Sequence, residues 1–153
     1  SFKGLHGVVL GSEMSAGIQN VFIDNCQTRG YLKRGIYFKT NADRGGFIKD
    51  IYVRNLQLDE VEDAIYITAN YHNEGSQFPS DISDVYFWNV ACNKARETAI
   101  VIQGYPQKKV RNFFLDNIYV KSAKNGMTVT NSENISINEV VIGEKATTPT
   151  AIK

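Results

Sequence analysis

Several kinds of protein are excluded by what this 153-residue chain has too little of. Three prolines and no Ser/Gly-rich stretch leave no linker and no second domain to attach to one. Seventeen basic side chains against sixteen acidic ones give a formal charge of +1, which provides no bulk field for nucleic acid. No apolar run approaches the roughly 18 residues of a membrane-spanning helix, so no membrane partner is expected. The two cysteines and two histidines form no cluster with metal-ligand spacing, and no metal or other cofactor is expected. Asn-Gly occurs once, at Asn125-Gly126, too rarely for the hairpins of a propeller. The leucine lattice of a leucine-rich repeat is also missing.

What is present is repetition. Gly7 to Ser12, Gly35 to Thr40, Ala64 to Ala69, Ala99 to Gly104 and Gly126 to Asn131 each begin with a small residue and carry apolar residues at the second and fourth positions. Successive copies start 28, 29, 35 and 27 residues apart, the range of stacked supersecondary units. A second segment runs between them: IQNVFIDNC from Ile18, IKDIYVRNL from Ile48, ISDVYFWNV from Ile82, VRNFFLDNI from Val110 and a weaker SENISINEV from Ser132. Period-two alternation in β-branched and aromatic residues makes these strands. A unit of two strands, with a third expected, and turns between them is one coil of a right-handed parallel β-helix. The chain is therefore read as all-β, a solenoid of about five coils over residues 1–143, with a polar tail at 144–153.

Asn or Asp holds the third position of the second segment throughout, and its eighth position reads Asn25, Asn55, Asn89, Asn117 and then Glu139. Equivalent residues of neighbouring coils lie about 4.8 Å apart, so these asparagines are expected to pass hydrogen bonds along the stack where the chain leaves a sheet. Cys26 and Cys92 sit in different columns of coils two apart, which predicts two buried thiols rather than a disulfide.

Alternation also assigns a face. Val8, Ile36, Ile65, Ile100 and Met127 point inward, as do Leu10, Phe38, Ile67, Ile102 and Val129. Tyr37, Tyr66, Lys39, Thr68 and Gln103 then point outward together. Stacked tyrosines beside polar groups on a rigid sheet suit a sugar chain, although tyrosine is also a good exposed strand residue. The longest coil carries its extra residues at Tyr71 to Ser80, a loop expected to project at one end of that face and to bring His72 near a ligand. Arg29, Lys33, Arg34, Lys39, Arg44, Lys49 and Arg54 favour an acidic sugar. Lys39 is the member that the repeat puts beside the tyrosines, and the others read as solvated turn residues. Asp59, Glu60, Glu62 and Asp63 read as a solvated charge run in a turn.

The wording of these coils resembles glycoside hydrolase family 28, the polygalacturonases and related pectin hydrolases. Leu5 to Ser15 (LHGVVLGSEMS) looks like that family's Gly-His-Gly motif with its following Gly-Ser, and Gly35 to Gly46 (GIYFKTNADRGG) looks like its Arg-Ile-Lys motif. Ala64 to Tyr71 looks like the next coil, where the family often carries a substrate-contacting tyrosine. Two positions depart from the pattern: Leu5 stands for the first glycine, and Tyr37 stands for the arginine.

The resemblance implies His6 as a supporting catalytic residue and Lys39 as the partner of a uronate carboxylate. Tyr71 is the matching substrate contact, with Tyr37, Tyr66, Glu13 and His72 as further substrate-side candidates. It also implies a pectin-type acidic polysaccharide as substrate and a secreted or periplasmic location. Inverting hydrolysis needs two carboxyl groups roughly 6.5–9.5 Å apart. The family carries them in Asn-Thr-Asp and Asp-Asp motifs before the histidine, and neither motif occurs in this chain. The expectation is a C-terminal portion of such an enzyme, inactive by itself, whose first coil is covered by the missing N-terminal coils or by a self-partner. The alternative is a non-catalytic β-helix that binds carbohydrate or serves as a scaffold.

Overall fold

A strand can turn a corner without losing its ladder if the corner residue tolerates the left-handed backbone region, and asparagine and aspartate do so more cheaply than other L-residues. The third-position residues Asn20, Asp50, Asp84, Asn112 and Asn134 all have φ between 53° and 57°. Asn25, Asn55, Asn89 and Asn117 follow at 53–56°, with Glu139 at 50°. Each coil therefore bends twice, five residues apart, at the two columns that the repeat marks.

The computed structural model describes residues 4–143 and the backbone of 145–146. Its strands are β1 (His6–Gly11), β2 (Ile18–Gln27), β3 (Tyr31–Lys39), β4 (Phe47–Thr68), β5 (Asp81–Gln103), β6 (Val110–Val120), β7 (Ala123–Thr130), β8 (Ser132–Ile142) and β9 (Lys145–Ala146). β1, β3 and the ends of β4 and β5 pair in parallel and continue to β7. β2, the starts of β4 and β5, β6 and β8 form the second parallel stack. This is the parallel β-helix of five coils, and its right hand is the one that parallel crossover connections take. Of the expected polar tail, Lys145–Ala146 instead pairs antiparallel with Val141–Ile142; the rest lies outside the described residues.

The interior follows the alternation. Ile36, Ile65 and Ile100 are in register and fully buried, as are Ile51, Val85 and Phe113 of the other stack. Phe38 meets Phe87 across the core with ring centroids 6.3 Å apart. On the outer surface Phe22, Tyr52, Tyr86 and Phe114 form a ladder with centroids 4.7–5.0 Å apart and planes within 10° of parallel.

Amide bonds run along the corners. Asn117 donates to Asn89 (3.3 Å), Asn89 to Asn55 (2.8 Å) and Asn55 to Asp24 (3.0 Å), so Asp24 ends the chain of bonds where Asn25 was expected. Asn134 donates to Asn112 and Asn112 to Asp84 on the other corner. Asn89→Ala should lose about 2–3 kcal/mol, roughly half from forcing a Cβ-bearing residue without a polar side chain into the left-handed region and half from the two bonds. Urea unfolding measures the loss, and Asn89→Gly should recover the backbone share. A glycine variant as unstable as the alanine one would remove the backbone argument.

Two expectations need correction. Cys26 is exposed although its register partner Leu56 is buried, because β2 is the end strand of its stack and pairs on one side only, while Cys92 is buried as expected. Asp59 to Asp63 is not a turn but the middle of β4. Neighbouring coils supply its partners there. Asp59 accepts from the Gly30 amide, and Glu60 is held at a pKa of about 2 by Arg96 and Lys94. Asp63 is buried.

Candidate functional site

The outer face of the first stack carries a hollow of about 380 Å³, and register decides what lines it. His6 lies beside Arg34 in the ladder, Tyr37 beside Tyr66, and Lys39 beside Thr68, which precedes Gln103. These side chains, with Lys33, Asn70, Tyr71 and His72, form the wall. β1 can close on β3 only because Gly11 has φ +96° and no Cβ; a Cβ there would stand 2.0 Å from the carbonyl oxygen of Lys39.

The tyrosines meet edge to face rather than flat. Tyr37 and Tyr66 are 5.5 Å apart at 88°, and Tyr37 and Tyr71 are 6.4 Å apart at 74°. That arrangement satisfies the ring quadrupoles. Burial pushes the Tyr37 phenol up to about 12, so it stays a neutral hydrogen-bonding group. Lys39 Nζ stands 5.0 Å from the Tyr71 ring centroid and 5.7 Å from that of Tyr37, a cation held by two π faces. Thr68 is buried, donates to Gln103 Oε1 at 2.9 Å and accepts from the Asn70 amide at 3.0 Å, which fixes the floor.

The long loop does not float above the face. A 3₁₀ turn, Tyr71–Asn73, begins it, with Tyr71 N–H bonded to Thr40 O at 2.8 Å. Further along, Asn41 donates to Glu74 at 3.0 Å and Tyr105 donates to Gly75 O at 3.1 Å. His72 has φ 58° and its ring stacks on Tyr71 at 3.9 Å, which brings both rings to the rim.

Six of the seven residues predicted from the sequence, His6, Tyr37, Lys39, Tyr66, Tyr71 and His72, thus line one hollow. Glu13 does not join them: its side chain is almost fully exposed and stands 3.4 Å from Arg44, which also donates to Ser12. Sequence reasoning missed Arg34 and its support. Far from being a solvated turn residue, Arg34 is largely buried in β3, 2.8 Å from the buried Asp63. The missed signal was the spacing of Arg34 and Asp63, 29 residues, which is one coil.

Electrostatics follow from this packing. Burial pushes the Asp63 carboxyl above its usual range, against the pull of the Arg34 guanidinium and the Thr98 N–H. Burial first, then Arg34, Lys39 and Lys33, holds His6 below the ordinary imidazole value. His6 is therefore neutral near pH 7, and forcing a proton onto it costs stability as the pH falls below about 6.5. Among the described residues His6 Nδ1 and Arg34 Nε are both buried without a hydrogen-bond partner, each at a cost of roughly 1–3 kcal/mol. Among the described residues no Asp or Glu lines the hollow, while Lys33, Arg34 and Lys39 do.

Comparison with known proteins agrees with this architecture. The family model described as Glycosyl hydrolases family 28 matches residues 1–145. A probable polygalacturonase of Vitis vinifera is 32% identical over 139 residues, an alignment that covers 84% of this chain and 28% of that protein. A polygalacturonase of Ralstonia solanacearum is 25% identical over 122 residues, covering 74% and 23%. The chain thus spans about a quarter of the length of these curated relatives. The crystal structure of a hyperthermoactive exopolygalacturonase from Thermotoga maritima superposes with a TM-score of 0.71 at 22% identity, over 92% of this chain and 31% of that one, and shares the fold.

Proposed function

Because the chain belongs to family 28 of the glycosyl hydrolases, we propose that it forms the substrate-side, C-terminal coils of a polygalacturonase-like enzyme that cleaves pectin-type, uronate-containing polysaccharide with inversion. The observation that carries this reading is the lining of the hollow: three cations, three tyrosines and no carboxylate among the described residues. Such a wall attracts an acidic sugar chain, covers its apolar faces and takes its hydroxyls. Among the described residues it holds no carboxyl pair to protonate the leaving oxygen and to activate water, and inversion needs both members of that pair. The two carboxylates are placed in preceding coils, stacked before β1.

In this reading neutral His6 supports the acid pair by hydrogen bonding, Lys39 pairs with a uronate carboxylate, and Tyr37, Tyr66 and Tyr71 pack on the sugar rings. His72 closes the rim. The enzyme works on extracellular or periplasmic polymer. A non-catalytic carbohydrate-binding β-helix is the second reading, favoured by Tyr37 in place of the motif arginine.

Reducing-end release from polygalacturonate tests the choice. These 153 residues alone should release none, and a longer chain that adds preceding coils carrying the family's Asn-Thr-Asp and Asp-Asp motifs should release it. Hydrolysis by the 153 residues would overturn the assignment of the acids. Inactivity of both, with polymer binding retained, would favour the second reading.

A further inference from the structure

Just past the Asn25 corner each coil turns one more residue outward, and that column reads Gln27, Gln57, Ala91 and Tyr119, neighbours in register on successive coils. The small Ala91 leaves a dip among longer side chains, and the surface there is concave. Two adjoining hollows of about 360 and 280 Å³ share Gln27, Gln57 and Ala91 as a common wall. Because those three residues lie on neighbouring coils, the two hollows make one groove along the solenoid axis. It has no residue in common with the hollow of the first stack.

Its chemistry is that of the carboxamide. Asn25, Asn55 and Asn89 line one side and Asn93 the other, with the two glutamines between them. Asn89 Nδ2 spends a hydrogen on Asn55 Oδ1, and Asn55 Nδ2 spends one on Asp24. Each of these nitrogens carries a second hydrogen. Gln27 and Gln57 are exposed register neighbours, yet among the described residues neither side chain makes a hydrogen bond, even to the other. A column serving only the stack would continue the amide ladder of the corner beside it.

Charge in the groove is balanced. Among the described residues its lining has one cation, Arg29, and one anion, Asp59, which the Gly30 N–H at 2.7 Å and the Asn93 amide at 3.2 Å hold in place. Two exposed rings flank Ala91: Trp88, which precedes Asn89, is 49% exposed, and Tyr119 on the next coil is 48% exposed.

We infer that this groove is a second carbohydrate site, which takes a neutral oligosaccharide laid along the solenoid axis. A carboxamide both donates and accepts, as the adjacent hydroxyls of a pyranose require, and coils about 4.8 Å apart repeat the offer along the chain. Trp88 and Tyr119 supply apolar surface with a polar tip at the rim. An acidic sugar gains nothing here, since Asp59 offsets Arg29. The protein is thereby anchored on neutral glycan independently of what the first hollow binds.

Cys26 supplies the probe, because its exposed thiol lines the groove while Cys92 is buried. The rate of Cys26 alkylation by iodoacetamide is followed with cellotetraose, xylotetraose, galactotetraose or trigalacturonate present. At least one neutral tetrasaccharide should slow the reaction saturably, and trigalacturonate should leave it unchanged. Gln57→Ala should weaken that tetrasaccharide about tenfold, the worth of one or two amide bonds, and Ala91→Leu should fill the dip and abolish protection. Urea unfolding checks that both variants fold, and Gln27→Ala replaces Ala91→Leu if that one does not. No protection by any neutral tetrasaccharide, or protection that survives these substitutions, overturns the site. Equal protection by trigalacturonate overturns the choice of a neutral sugar.

Discussion

Lys39→Ala is expected to weaken trigalacturonate binding by about 10- to 100-fold, while Lys109→Ala stays within about twofold. A charge-assisted hydrogen bond from an ammonium to a carboxylate is worth about 1.5–3 kcal/mol, which converts to that range. Lys39 offers the bond because two tyrosine rings already position it at the hollow, so little side-chain freedom remains to be lost on binding. Lys109 is a solvated lysine 3.9 Å from Glu133, outside the residues that line the hollow. Binding should also weaken with salt in the wild type and lose part of that dependence in Lys39→Ala. Titration calorimetry at two ionic strengths reads both effects. Equal losses in the two variants would mean that net charge, not a placed lysine, attracts the polymer, and the hollow would lose its role.

The second large effect concerns the coil interior. Phe87→Ala should destabilise the protein by about 3–5 kcal/mol, a large part of the roughly 5–15 kcal/mol that holds a domain together. Phe87 is 1% exposed, lies in register between Val53 and Leu115, and faces Phe38 across the core. No neighbour can fill the gap easily, since each is fixed by its own ladder. The next residue gives the control. Trp88 is 49% exposed, and Trp88→Ala should cost no more than about 1 kcal/mol. Urea unfolding measures both, and similar losses for the two would contradict the inward and outward assignment on which the whole face rests.

Much of this was legible in the chain because a solenoid repeats its local physics. The lettering of Gly35 to Thr40 and Ala64 to Ala69 fixes strand, direction and face at once, since a period of two leaves each side chain one choice. The asparagine columns likewise announced their corners, because few L-residues accept positive φ. The fifth coil shows the limit of that rule, with Glu139 in the same conformation at φ 50°. Family wording then singled out His6, Lys39 and Tyr71, and those three line one hollow.

Local pattern misled where the outcome depended on the neighbouring coil. Asp59 to Asp63 has the composition of a solvated turn, yet it lies within β4, because Gly30, Lys94, Arg96 and Arg34 meet it from the coils on either side. Glu13 sits close to His6 in the chain but turns to Arg44. The aromatic ladder from Phe22 to Phe114 and the tilt of Tyr37 against Tyr66 likewise depend on how coils stack. The sequence by itself determined the strands, the corners, the two faces and the family. Only the tertiary structure decided that Arg34 and Asp63, 29 positions apart, become a buried pair beside His6 at the hollow. The physical reason is that side-chain direction follows from a few adjacent residues, whereas register and burial follow from the length of a whole coil and from the desolvation of charges its neighbours bring together.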